Sequence, residues 1–195
     1  MPTEEVLTCL SDRKKARGIQ MNIILQSAPV LKNVKVACMF TVPGKYMKYV
    51  QYLFSDTDIK IYVLCRCKDK DVILVYREGA LEGYLNSTEV SAFLAEAGYC
   101  LMDISEKLKF LGERMSDYYN NKGEYPHETG VFLGYPLDDV VGFMKFGGKN
   151  SKYSGYWQVY SDVEQAKRIF TAYDAAKEKS VTEFFAGKRI CDIAC

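Results

Sequence analysis

The run Lys35-Val-Ala-Cys-Met-Phe-Thr-Val42 is apolar at almost every position and does not alternate. A strand of that kind has to be covered on both faces. A chain that contains it must therefore build layers around a sheet. Of the 195 residues 48% are hydrophobic, enough to fill such layers without disulfide staples.

Residues 59–67 and 72–77 also read as strands. They flank the charged turn Lys68-Asp-Lys-Asp71 and form the clearest hairpin in the chain. Strict alternation puts Ile61, Val63, Cys65 and Cys67 on one face of the first arm, and Tyr62, Leu64 and Arg66 on the other. Pro43 opens a helix whose buried face is Tyr46, Val50, Leu53 and Phe54. Further strands are expected over residues 130–134 and 155–160. The fold class is then α/β or α+β, with a single mixed sheet of about five strands covered by helices. Residues 35–67 and 130–160 read as β-α-β units with right-handed crossovers. A ferredoxin-like β-α-β-β-α-β core with a helical insertion fits this order.

The remaining helices have clear punctuation. Thr3 caps an N-terminal helix over residues 3–17 that Gly18 stops. A short apolar piece over residues 19–26 breaks near Pro29. Val90, Phe93, Leu94 and Ala97 mark a helix that Gly98 ends. Asp103 and Glu106 have capping-box spacing at the head of the next, along Ile104, Leu108, Leu111 and Met115. Residues 100–124 read as the helical insertion. Leu137, Val140, Val141 and Met144 form the face of a helix that starts at Pro136. Ser161-Asp-Val-Glu164 has capping-box spacing for a long helix that ends near Gly187, and residues 188–195 read as a loose tail. Residues 1–187 make one globular domain.

Composition removes whole classes of function. Lys and Arg number 26 against 25 Asp and Glu, without the basic surplus of a nucleic-acid binder. No run approaches the roughly 18 apolar residues of a membrane span. The start Met-Pro-Thr-Glu-Glu lacks a secretory signal, so the expectation is a cytoplasmic protein with its seven cysteines reduced. A small molecule or another protein remains as partner, and no cofactor can be named.

Two constellations carry chemistry. His127 is the only histidine, so any site needing two is excluded, while a single imidazole can still act as acid, base or ligand. Glu128 follows it, but neighbours in extended chain point to opposite sides. The second constellation is the corner Gly134-Tyr-Pro-Leu-Asp-Asp139. Strand-to-helix corners are where open α/β sheets bind ligands. Asp138 and Asp139 in the first turn would repel a phosphate and favour a cation or a hydroxylated ligand. Tyr135, Asp138 and Asp139 are therefore candidate binding residues. Lys45, at the matching corner after residue 43, joins them if the two strands are neighbours. A strand over residues 130–134, at about 3.3 Å per residue, would hold His127 about 15–20 Å from that corner.

Other patterns are weaker. Gly142-Phe-Met-Lys-Phe-Gly-Gly-Lys149 has the wrong spacing and the wrong neighbouring element for a phosphate loop. Cys65 and Cys67 with Cys191 and Cys195 could supply four thiolates, but Cys65 and Cys67 continue the apolar stripe of Ile61 and Val63, and no metal site is assigned.

Several segments occur together: Ser27-Ala-Pro29, Val72-Ile-Leu-Val-Tyr-Arg77, Gly98-Tyr99, Pro126-His-Glu-Thr-Gly-Val-Phe-Leu-Gly-Tyr-Pro136 with Asp138-Asp-Val140, and Gly155-Tyr-Trp-Gln-Val-Tyr160. By these the chain resembles the family of domain of unknown function 3793, over roughly residues 20–187. It departs from the family pattern at Ser27, Thr129 and Gln158. The resemblance implies a cytosolic bacterial protein from anaerobic hosts and brings no activity or catalytic residue. The expected function is a small-ligand-binding or accessory protein linked to anaerobic metal or redox metabolism. The alternatives are an enzyme with His127 as acid-base, or a protein-interaction module built on Tyr153, Tyr156 and Trp157.

Overall fold

The computed structural model describes residues 16–194 together with Glu4 and Val6. Most of the helix expected over residues 3–17 lies outside the described residues. The first full helix, α1, spans Ala16–Leu31. Gly18 does not stop it but is buried inside it, and the helix runs through Pro29. Its end is closed from outside. Arg77 Nε donates to the Val30 carbonyl at 3.0 Å and Nη2 to the Leu31 carbonyl at 3.1 Å, while Nη1 pairs with Asp58 at 2.6 Å. A guanidinium on the last carbonyls satisfies acceptors that the helix itself leaves open.

Strand β1 (Ala37–Pro43) leads through a 3-10 turn, Gly44–Tyr46, into helix α2 (Met47–Leu53). Strands β2 (Ile59–Cys67) and β3 (Lys70–Arg77) then form the expected hairpin. The sheet order is β1-β3-β2 and both neighbouring pairs are antiparallel. This corrects the expectation of one mixed five-stranded sheet. Three strands form this sheet, and the only other strands among the described residues are a separate two-stranded pair. A β-α-β-β run is present, but no fourth strand completes a ferredoxin-like sheet among the described residues.

The register of β2 against β3 shifts between Val63 and Cys65, a bulge at Leu64. The shift overturns the expected face assignment, because an extra residue reverses everything after it. Ile61 and Val63 pack with Ile73 and Val75 in one layer. Leu64, Cys65 and Cys67 pack with Val72 and Leu74 in the other. The two cysteines therefore do not continue the stripe of Ile61 and Val63.

Both faces of the sheet are covered, as the apolar run in β1 requires. Beyond β3 come α3 (Glu78–Leu85), α4 (Thr88–Leu94) and α5 (Ile104–Tyr119). Gly98, at φ +96°, ends the turn after α4. Asp103 and Glu106 form the capping box at the head of α5. Two further helices follow, α6 (Thr129–Phe132) and α7 (Leu137–Phe146). Residues from α3 to α7 make the second layer. Gly112 lets α5 lie directly on the bulge, since a Cβ there would sit 2.6 Å from the Leu64 carbonyl oxygen.

The short strands β4 (Tyr153–Ser154) and β5 (Gln158–Val159) pair only with each other. They replace the single strand expected over residues 155–160. Helix α8 (Val163–Phe185) follows, with Asp162 rather than Ser161 as its cap, accepting from the Gln165 N–H at 3.0 Å. Ala166, Phe170 and Tyr173 in its first half pack with Trp157 and Val159 in a third cluster. Phe184 at its other end joins α1 and α2 in the first layer. The segment expected to be a loose tail contains α9 (Ile190–Ile193), whose Ile190 and Ile193 are buried in that layer. Among the described residues no helix is long and apolar enough to cross a membrane.

Candidate functional site

The stretch from residue 125 to 139 turns twice within a short distance. Apolar residues 130–134 were expected to be a strand, yet α6 is a single helical turn. A short apolar run is compatible with either state, and here local hydrogen bonds decide. The Pro126 carbonyl accepts from the Thr129 N–H at 3.0 Å and from Thr129 Oγ1 at 2.6 Å, which closes the turn. Gly134, at φ +72°, ends it, and the Tyr135 N–H returns to the Gly130 carbonyl at 3.0 Å. The chain does not extend across a sheet. It folds back on itself.

This correction brings His127 and Asp139 to one cavity. The cavity holds about 300 Å³, and the rings of Tyr125, Tyr135, Phe143, Tyr156 and Trp157 line it. His127, Gly130, Gln158 and Asp139 line it as well. The strand that was to hold them at opposite ends is not formed.

His127 is exposed, and no hydrogen bond engages its ring among the described residues. Its ring lies 5.5 Å from that of Tyr125 and 5.4 Å from that of Phe143. Glu128 points elsewhere and is buried, although the chain here is a turn and not the extended segment expected. Its Oε1 accepts from the Tyr99 hydroxyl at 2.9 Å and pairs with Arg114 Nη1 at 3.0 Å. Glu128 is therefore a core carboxylate with its partners in place, outside the cavity wall.

Asp139 is 2% exposed. Four donors converge on its carboxylate. Trp157 Nε1 reaches Oδ2 at 2.7 Å, and the Tyr160 N–H, the Ser161 N–H and Ser161 Oγ each reach Oδ1 at 2.8 Å. This is how a buried carboxylate is held without a cation. Asp139 fastens the β4-β5 hairpin to α7 and so builds the cavity wall. Asp138, beside it, is exposed. Lys45 takes no part in the cavity. It lies in the 3-10 turn after β1, with Nζ 4.9 Å from its neighbour's ring at Tyr46. The two corners were paired through a strand that is not formed.

Tyr135 is the predicted residue that the structure places most squarely in the wall. Its ring stacks on Trp157 at 5.0 Å and 28°. Its carbonyl accepts from the Tyr84 hydroxyl. Burial raises the Tyr135 phenol to about 12, so it stays protonated and can donate. Burial also raises Tyr125 and Tyr156. Trp157 is 7% exposed and packs edge-on against Phe170 at 4.5 Å. It belongs to the interior and not to the protein-binding surface expected of it. Tyr156 is engaged too, with its hydroxyl on Asp174 and Lys177 over its ring at 4.3 Å.

Sequence reasoning missed Phe143 and Gln158 as wall residues. Phe143 did not stand out within the Gly142–Lys149 segment, and Gln158 becomes a wall residue only through the hairpin. The glycines were better signals. A Cβ at Gly130 would lie 2.9 Å from Val140 Cγ2, and one at Gly142 would lie 2.6 Å from Tyr160. Both are small because α6, α7 and the hairpin approach closely.

Among the described residues the cysteines gather no metal site. Cys65 and Cys67 face the second layer, α9 with Cys191 packs in the first, and Cys195 lies outside the described residues. No group of three or more His, Cys, Asp or Glu side chains is placed to hold a metal ion among the described residues.

The glycine-rich turn at residues 126–136, the buried Asp139 and the Trp157 hairpin belong together as one unit. A family described as protein of unknown function (DUF3793) matches residues 23–194. The chain belongs to the DUF3793 family. The match spans all of α6, α7, the hairpin and α8, so the cavity of this DUF3793 protein lies wholly within it. No curated protein and no solved structure matches the chain.

Proposed function

We propose that this DUF3793 protein binds a small, flat, mainly apolar molecule in the cavity between α6, α7 and the β4-β5 hairpin. One observation carries the reading: five aromatic rings converge on about 300 Å³ of space. Ligand sites of about this size or larger are lined mostly by apolar and aromatic side chains, with a few polar groups for orientation. Here the polar groups are the neutral phenols, the Gln158 amide and the His127 imidazole. The Asp139 carboxylate is already saturated by four donors, which favours an uncharged ring system over a cation.

Binding is preferred to catalysis because, among the described residues, no hydrogen-bonded group orients His127. A general base is usually held by a second hydrogen-bonded group. The adjacent carboxylate, Glu128, is turned inward to Tyr99 and Arg114.

The chain provides its own reporter, since its single tryptophan stands in the cavity wall. One- and two-ring heteroaromatic compounds titrated into the protein should change Trp157 emission and raise the melting temperature together. Phe143→Ala, which removes one wall, should abolish both responses. A panel of such compounds that moves neither signal would overturn the reading.

A further inference from the structure

The end of β2 carries a second constellation, away from the cavity. Cys65 and Cys67 stand two residues apart and so on one side of the strand, and the bulge at Leu64 turns that side to the second layer. Their Sγ atoms lie 3.7 Å apart. The two thiols are unequal in access: Cys65 is 6% exposed, while Cys67 is half-buried and reaches solvent. Residues two apart on a strand have Cα atoms about 6.6 Å apart. That falls at the upper end of the roughly 4.4–6.8 Å that a disulfide spans. A closed bridge also needs the two Cβ atoms within about 3.5–4.5 Å, so the strand beside the bulge has to bend as the bond forms.

We propose that Cys65 and Cys67 are a reversible dithiol site that exchanges with low-molecular-weight disulfides. Cys67 is the attacking sulfur, because it is the accessible one. It forms a bond to one sulfur of the incoming disulfide, and the first thiol leaves with the Cys67 proton. Cys65 then attacks Cys67 Sγ. The second thiol leaves with the Cys65 proton, and the Cys65–Cys67 bond is closed. The protein gives up two electrons and two protons, and the external disulfide is reduced to two thiols.

The environment divides these roles. Burial first, then the hydrogen bond to Cys67, pushes the Cys65 thiol up to about 12. Cys65 holds its proton until the mixed disulfide has formed and its departing thiolate is there to take it. No other free cysteine described in the fold shares this setting. Cys38 is buried in the first layer, and Cys100 and Cys191 stand outside the bulge. A bond closed near the limit of its span is also readily reduced, which keeps the reaction reversible.

Sequence supplies the readout. Arg66 stands between the two cysteines, so trypsin cuts between them and only a disulfide keeps the two fragments joined. The full chain is incubated with oxidised glutathione, its free thiols are alkylated, and the digest is analysed by mass spectrometry. The expected result is a joined pair of fragments carrying Cys65 and Cys67, separated again by dithiothreitol. Cys65→Ser should stop the reaction halfway and leave glutathione on Cys67, and Cys67→Ser should leave Cys65 unmodified. The proposal is overturned if both cysteines are recovered fully alkylated. It is overturned equally if the native chain accumulates glutathione on Cys67 without closing the bond. Circular dichroism of each variant establishes that it is folded before the digest is read.

Discussion

Trp157 donates its indole N–H to Asp139 Oδ2 at 2.7 Å, across 18 residues of chain. This bond joins the two-stranded hairpin to the first turn of α7. The same carboxylate takes two backbone N–H groups and a hydroxyl from residues 160 and 161. The wall of the cavity therefore depends on one negative side chain that no ligand needs to touch.

Asp139→Asn should cost about 2–3 kcal/mol of stability. The amide keeps one acceptor oxygen, so its NH2 must face either the indole N–H or the donors from residues 160 and 161. Urea denaturation measures the loss, and Trp157 emission should shift with it. A change below about 0.5 kcal/mol with unaltered emission would show that the four bonds do not hold the hairpin.

His127→Ala should behave in the opposite way. The ring is exposed and makes no hydrogen bond among the described residues, so stability should stay within about 0.5 kcal/mol of the parent. Affinity for a ring compound in the cavity should fall, since His127 borders it beside Phe143. A variant that unfolds would place His127 in the structure rather than in the site.

The hairpin of β2 and β3, the helix from residue 104 and the helix from residue 137 were legible because each had both periodicity and a start or stop signal. The stretch over residues 130–134 was not. Val131, Phe132 and Leu133 are apolar in a row, which suits a covered strand as well as a buried turn. What separates the two is the pair of bonds to the Pro126 carbonyl, and these are visible only in three dimensions. That one misreading moved His127 away from Asp139 and paired Lys45 with a corner it does not meet. The bulge at Leu64 was hidden for a related reason. Nothing in Val63-Leu-Cys65 marks an extra residue, because three apolar residues in a row read the same in either parity. Gly112, on the helix that lies against the bulge, was the faint trace of it.

Two glycine substitutions should separate close packing from backbone freedom. At Gly112 a Cβ would meet the Leu64 carbonyl oxygen at 2.6 Å, and a backbone atom cannot rotate away. Gly112→Ala should therefore destabilise by about 1–3 kcal/mol as α5 is pushed off β2. Gly83 lies in α3 with nothing within 4 Å of its would-be Cβ. Gly83→Ala should stabilise by about 0.5–1 kcal/mol, because alanine loses less conformational freedom in a helix. Equal thermal shifts for the two variants would contradict the packing assigned to Gly112.

Lys35 gives the fold a dependence on pH. Its ammonium lies 4.9 Å from the Tyr135 ring centre and 5.5 Å from that of Tyr173. Burial is the main cause that lowers its pKa from 10.5 to about 8, Cys38 opposes the shift, and Lys177 adds to it. The folded chain thus holds this proton less tightly than the unfolded chain. Below about pH 8 both states carry the charge and the folded state bears the full penalty. Between about 8 and 10.5 the unfolded chain binds a proton that the folded chain does not, so this group makes stability rise with pH. Cys38 acts the other way: burial raises it from 9.0 to about 12, so its contribution falls once the unfolded thiol ionises. Tyr135, raised from 10.0 to about 12, follows at higher pH. The interval from about pH 8 to 9 isolates the lysine. Lys35→Met removes the titration, so the stability of the variant minus that of the parent should be greatest near neutral pH and shrink as pH passes about 8. Urea midpoints across that interval test it, and parallel curves for the two proteins would show that Lys35 is not held as an unfavourable charge.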